Sequence, residues 1–132
     1  MLDNYLKLIL KAPVYDVAKE TELEFADNLT NKFANNIWLK REDTQPSFSY
    51  KIRGAYSLIT NLLYSKKVIG LVAASAGNHA QGVSLSAKKL GLPVIIVMPK
   101  TTPEIKINAV RALGAKVQLH GNTYDEASVL AK

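Results

Sequence analysis

The stretch V-I-G-L-V-A-A-S-A-G-N-H-A-Q-G-V-S-L-S-A-K-K-L-G, residues 68–91, decides the fold. Val68–Ala74 is a nearly all-apolar run of strand length. It passes through Ser75, Ala76 and Gly77 into a helix over Asn78–Leu90, with Gly91 at its end. The alternation then repeats. Pro93–Met98 is a second apolar run, and Thr102 stands where it would cap the next helix, with Pro103 at the first position and Gly114 past the end. Lys116–His120 reads as the next strand, and Thr123–Glu126, T-Y-D-E, is a capping box opening a further helix. Strands apolar on both faces must be shielded on both sides, so strands alternating with helices predict an α/β fold, a parallel sheet flanked by helices.

Upstream, Leu2, Tyr5, Leu6, Ile9 and Leu10 follow helical spacing and Pro13 stops them. Val14–Val17 reads as extended, Phe25, Leu29 and Phe33 as one helical face, and Ile37–Lys40 as a strand entering the charged turn Arg41-Glu42-Asp43. A helix from Lys51 buries Ile52, Ala55, Tyr56, Ile59, Leu62 and Leu63. The sequence stops inside its last helix, where an α/β unit would normally return to the sheet, so it reads as a piece of something longer.

With 132 residues, 48% hydrophobic and 21% charged, the chain suits one modest globular domain. It has no cysteine and only two histidines, His79 and His120, which argues against disulfides, thiol chemistry and a histidine-rich metal site. The net charge of +6 is spread along the chain, with doublets only at Lys40-Arg41, Lys66-Lys67 and Lys88-Lys89, so no nucleic-acid partner is expected. The N-terminus lacks the uninterrupted apolar region of a secretory signal, and the apolar runs fall far short of the roughly 20 residues of a membrane helix. The expectation is a soluble cytoplasmic protein without membrane contact.

Ligands of open α/β sheets sit beyond the carboxyl ends of the strands, against helix N-termini. The turn Ser75-Ala76-Gly77-Asn78-His79 lies there, with small residues for close approach, Gly77 free to take dihedrals closed to other residues, and N–H groups, hydroxyl and amide for a carboxylate or phosphate. The alternative is an ordinary strand-to-helix turn capped by Ser75 or Asn78. Ser47–Tyr56, S-F-S-Y-K-I-R-G-A-Y, places Lys51 at the mouth of a helix beside hydroxyl groups and an aromatic ring. Lys51 is either a surface cation or a desolvated amine suited to a Schiff base, and the rest of the sequence favours the second, an amine held out of water. No G-x-G-x-x-G or Walker motif supports nucleotide binding.

S-Y-K-I-R-G-A-Y (49–56) and S-A-G-N-H-A-Q-G (75–82) resemble the two signature segments of the fold-type II pyridoxal-phosphate enzymes, which share a tryptophan synthase beta-like fold. More narrowly they resemble the threonine dehydratases (threonine ammonia-lyases). L-K-R-E-D-T-Q-P (39–46), I-V-M-P-K-T-T-P-E-I-K (96–106) and A-P-V-Y-D-V-A (12–18) fit the same family, the last inclining to its biosynthetic, isoleucine-pathway branch. The resemblance implies pyridoxal 5'-phosphate held as a Schiff base by Lys51, whose freed amine then removes the substrate's Cα proton. Tyr50, where the family usually has phenylalanine, would pack beside the cofactor ring, and its hydroxyl would need a partner. Asn78 would bond the cofactor's phenolic oxygen, and Ser75, Ala76, Gly77, Asn78 and His79 would receive the substrate carboxylate. Arg53 and Gly54 are read as packing and support residues. Thr21-Glu22-Leu23 departs from the family's Thr-Pro-Leu without touching the chemistry.

The implied reaction converts L-threonine to 2-oxobutanoate and ammonia, in a homotetramer when complete. Residues 1–40 would belong to a larger catalytic domain and 41–132 to a small α/β domain cut short at its C-terminal end. The glycine-rich phosphate loop, the contact to the pyridine nitrogen and the effector-binding domain would lie beyond Lys132. Isolated, the chain is expected to bind the cofactor weakly and turn threonine over negligibly. The alternatives are a serine dehydratase or serine racemase-type enzyme, and a non-catalytic α/β remnant.

Overall fold

The computed structural model describes residues 2–132, the side chains of Leu2 and Asp3 excepted, so the expected place of Leu2 on an apolar helix face lies outside the described residues. Helix α1, Leu2–Lys11, stops before Pro13. Val14–Asp16 then forms a 3-10 turn and not the extended piece expected. Tyr56 donates to Asp16 Oδ2 at 3.0 Å, and this bond favours the compact turn by drawing the segment onto the next large helix.

The stretch from Leu23 to Lys40 also departs from expectation. Strands β1, Leu23–Phe25, and β2, Trp38–Lys40, pair antiparallel, with helix α2, Asp27–Phe33, between them. Phe25 therefore lies on a strand, directly opposite Trp38, with ring centroids 5.0 Å apart edge to face. That cross-strand aromatic contact outweighs the helical spacing to Leu29.

The α/β part matches the expected order. Helix α3, Lys51–Ser65, leads to β3, Leu71–Ala74; α4, Asn78–Leu90; β4, Val94–Met98; α5, Glu104–Ala112; β5, Lys116–Leu119; and α6, Tyr124–Ala131. The sheet is parallel, in the order β3-β4-β5. β3 starts at Leu71, three residues later than expected. Its first partner is Val94, and Pro93, just before, has no N–H to extend the ladder.

Only β4 is shielded on both faces. Val94, Ile96 and Met98 join Ala55, Ile59, Ala80, Val83, Ala87, Ile107 and Val110 in one core between the sheet and helices α3, α4 and α5. α6 packs on β3 and β4 and buries Ala127. On edge strand β3, Val72 remains 54% exposed, so the expected all-round burial fails there.

Two helix ends follow their sequence signals. Gly91 closes α4 at φ 67°, a left-handed conformation suited to glycine. Thr123 and Glu126 form the expected reciprocal capping box on α6. Thr102 does not cap α5. Pro103 occupies the cap position itself, leaving Thr102 one residue too early to reach the first turn, and its buried hydroxyl has no partner among the described residues. No described helix is long and apolar enough to cross a membrane.

Candidate active site

Lys51 is the first residue of α3, and its side chain borders a cleft of about 270 Å³ lined by Tyr50, Gly54, Ala55, Leu58 and His79 as well. Gly82 brings the cleft's two sides together. A Cβ at this position of α4 would lie 3.1 Å from the Lys51 carbonyl carbon and 3.2 Å from its oxygen. With hydrogen instead, α4 packs directly on the backbone of Lys51 and sets its first turn beside the amine.

The turn from β3 into α4 carries the other expected residues. Ser75 N–H bonds Val97 O at 3.1 Å, fixing the turn to the sheet. Ser75 Oγ accepts from Gly77 N at 3.3 Å and from Ala80 N at 3.2 Å. Its oxygen therefore caps the helix, as the alternative reading held, while its O–H proton remains available to a ligand. Asn78 and His79, the first two helical residues, have N–H groups with no carbonyl one turn back to bond, and the N-terminal dipole attracts an anion there. Gly77 takes φ −139°, extended backbone that any residue adopts, so the expected special dihedral is absent. Its lack of a side chain leaves open space within 4 Å.

The cleft brings Tyr50, Lys51 and His79 together; Ser75, Ala76, Gly77 and Asn78 adjoin it on the turn but do not line it. Lys51 is exposed, correcting the expectation of an amine held out of water. The physical reason is an open wall, since Tyr50 is 61% and Leu58 60% exposed. The amine makes no ion pair among the described residues and lies 5.2 Å from the centroid of the Tyr50 ring. Burial, and then the nearby Lys51 charge, push the His79 imidazole below its ordinary pKa. Of the two hydroxyl groups preceding Lys51, Ser47 donates to the Ser49 carbonyl at 3.3 Å, and Ser49 Oγ is buried without a partner among the described residues.

Behind the site lies a polar cluster whose carboxylate the sequence reading did not single out. Glu42 receives Arg53 Nε at 2.8 Å on Oε2 and Nη2 at 2.9 Å on Oε1, and Thr21 Oγ1 at 2.6 Å. Gln45, 1% exposed, accepts from Lys19 N at 3.0 Å and donates to Lys19 O at 2.8 Å and to Glu42. The Arg53 guanidinium, with Thr21 and Gln45, holds Glu42 down to a pKa of about 2. Arg53 thus has the support role expected of it. The sequence signal for the rest was the charged run 40–43 followed by Gln45, whose partners are distant in sequence.

The family profile described as "Pyridoxal-phosphate dependent enzyme" matches residues 14–132. The chain belongs to the pyridoxal-phosphate-dependent enzyme family. Within this family it is 53% identical over 128 residues to a biosynthetic L-threonine dehydratase of Pasteurella multocida, covering 97% of this chain and 25% of that protein. The solved structure of the processed form of threonine deaminase isoform 2 from Solanum lycopersicum superposes with a TM-score of 0.90 at 52% identity, covering 98% of this chain and 36% of that one. Maize serine racemase gives 0.86 at 26% identity over 98% and 39%. The chain thus spans about a quarter of the Pasteurella relative. The expected fold-type II architecture is confirmed over the whole match.

A pyridoxal-phosphate group fits the residues present. Its aldehyde calls for a primary amine outside any ion pair, and its flat ring for an apolar slot with an aromatic wall. Lys51, Ala55, Leu58 and Tyr50 supply these.

Proposed function

We propose that this chain is the lysine-bearing part of a biosynthetic threonine dehydratase, which converts L-threonine to 2-oxobutanoate and ammonia at the start of isoleucine formation. The observation that carries the reading is the Lys51 amine in one cleft with His79, at the edge of a turn that offers the unbonded N–H groups of Asn78 and His79. Support comes from the high identity to named threonine dehydratases across nearly the whole chain.

Bound pyridoxal phosphate supplies an aldehyde for amines and a ring that draws electron density from the substrate's Cα. Lys51 Nζ would hold the cofactor, and the same amine is the base that would take the substrate's Cα proton, its helix set against α4 at Gly82. The N–H groups of Asn78 and His79 and the Ser75 hydroxyl bind the substrate carboxylate, with Ala76 and Gly77 keeping the approach open. The Asn78 amide would bond the cofactor's phenolic oxygen, and Tyr50 would pack against its ring. The water lost in β-elimination is regained on hydrolysis, so the net change is threonine to 2-oxobutanoate plus ammonia.

We further read residues 1–40 as part of a larger catalytic domain and 41–132 as the small one, in a complete enzyme that is a cytoplasmic homotetramer. The test is twofold. This chain, incubated with pyridoxal phosphate, should develop a visible imine band that Lys51→Ala abolishes, with negligible threonine turnover; an identical band in Lys51→Ala rejects the site. In the full-length protein, threonine and serine should be compared directly, because the β-methyl group is worth only about 1–3 kcal/mol of discrimination. Preference for serine, or racemisation, would favour the serine-enzyme reading, to which the similarity with maize serine racemase lends structural support.

A further inference from the structure

Helix α3 begins without the usual support. Tyr50 at the N-cap makes no side-chain hydrogen bond to the first turn, and no acidic residue stands in that turn. Uncapped first turns fray. Lys51 is the first residue of this one, so whatever steadies the turn also fixes the origin of the amine's reach.

Arg53 is two residues further on, about 200° around the helix at 3.6 residues per turn. Lys51 faces the cleft while Arg53 reaches the opposite way, to Glu42 by two hydrogen bonds and to Lys19 O at 3.1 Å. Paired guanidinium–carboxylate contacts fix orientation as well as distance. Glu42 is itself immobilised by Thr21 and by Gln45, which ties back to both backbone groups of Lys19. Neither Glu42 nor Arg53 lines the cleft.

We propose that Glu42 is a positioning residue for the Lys51 amine, acting through the Arg53 guanidinium on the first turn of α3; this rests on Lys51 being the cofactor-bearing lysine. On the far side Gly82 sets how near α4 comes. On this side the clamp decides whether the turn stays wound, and with it the direction of Nζ.

The test reads amine reactivity instead of turnover. The chain is treated with limiting pyridoxal phosphate, reduced with borohydride and mapped by peptide mass spectrometry, with exposed Lys89 near the end of α4 as internal reference. Wild type should label Lys51 over Lys89 by about tenfold or more, since small displacements of a reacting group cost large factors. Glu42→Gln, similar in size but uncharged, should lower that ratio by about fivefold or more under native conditions, and Glu42→Asp should restore part of it. Arg53→Lys, which keeps a charge but loses the paired contact, should also lower the ratio, and it carries the test if Glu42→Gln fails to fold. A lower urea midpoint with the ratio unchanged within about twofold means a purely structural clamp and overturns the proposal. Equal labelling of Lys51 and Lys89 in wild type overturns the cofactor-lysine reading, and the proposal with it.

Discussion

His79 shares its cleft with the Lys51 ammonium, and burial together with that charge keeps the imidazole below its ordinary pKa. A neutral ring at pH 7 can accept a proton at one nitrogen while donating from the other, which suits the edge of an amino-acid site. Removing the charge should undo part of the depression. Lys51→Ala should therefore raise the His79 pKa, though not fully to its ordinary value, because burial is the larger cause; an NMR titration of the imidazole protons checks this, and an unmoved pKa would separate the two side chains. Glu42 works in the opposite sense. Its folded-state pKa of about 2 lies below the ordinary 4.5, so the clamp's stability is complete above that ordinary value and is lost as pH falls from it through about 2. At about 1.4 kcal/mol per unit, reduced by solvent screening, about 2 kcal/mol is at stake. Glu42→Gln should be the less stable at neutral pH, and the difference in urea stability between wild type and variant should shrink by that amount across the window, Asp43 and Glu126, also held below their ordinary range, titrating in both.

The contact between α3 and α4 depends on one missing methyl group. In Gly82→Ala the new Cβ would press on the Lys51 backbone at 3.1–3.2 Å, where no flexible side chain can yield. Overpacking of this kind costs about 1–3 kcal/mol, and here it also moves the amine away from the turn. Gly82→Ala should lower the thermal midpoint and weaken the Lys51 imine band. Gly54→Ala is the contrast for stability, since nothing lies within 4 Å of its Cβ and a helix gains about 0.5–1 kcal/mol from alanine, although its methyl would stand at the cleft. If both variants shift the thermal midpoint alike, close helix approach is not what Gly82 provides. What the sequence reveals at this scale is whatever is written locally. The period of α4 and its Gly91 end coincide, the Thr123–Glu126 box marks α6, and the apolar run of β4 is central enough to be buried on both faces. What it hides depends on distant partners. The β1–β2 pair is separated by a helix, the start of β3 is decided by Pro93, and Glu42 meets Arg53 from eleven residues away. The site divides the same way: its turn and lysine are visible as motifs, while the exposure of Lys51 follows from an open cleft wall that no local pattern records.

At the scale of the whole molecule, the three-stranded sheet has two open edges among the described residues, because of its strands β4 alone is paired on both sides. At the β3 edge unpaired backbone groups adjoin Val72, 54% exposed, with Ile69, 81% exposed, two residues before the strand. An open strand edge beside exposed apolar side chains is a template for pairing with another chain. The net charge of +6 opposes such association but is spread over the chain and leaves β3 itself uncharged. The isolated chain should therefore self-associate as its concentration rises, more so at high salt, where charge repulsion is screened. Val72→Lys places a cation on this edge at an exposed position, so its effect on folding stability should stay within about 0.5 kcal/mol. Sedimentation velocity of wild type and Val72→Lys over a concentration series should show the larger species reduced in the variant at an unchanged urea midpoint. Equal association in both would move the sticky surface elsewhere, with the apolar side chains of α1, such as Ile9 at 68% and Leu10 at 76% exposure, the next to replace.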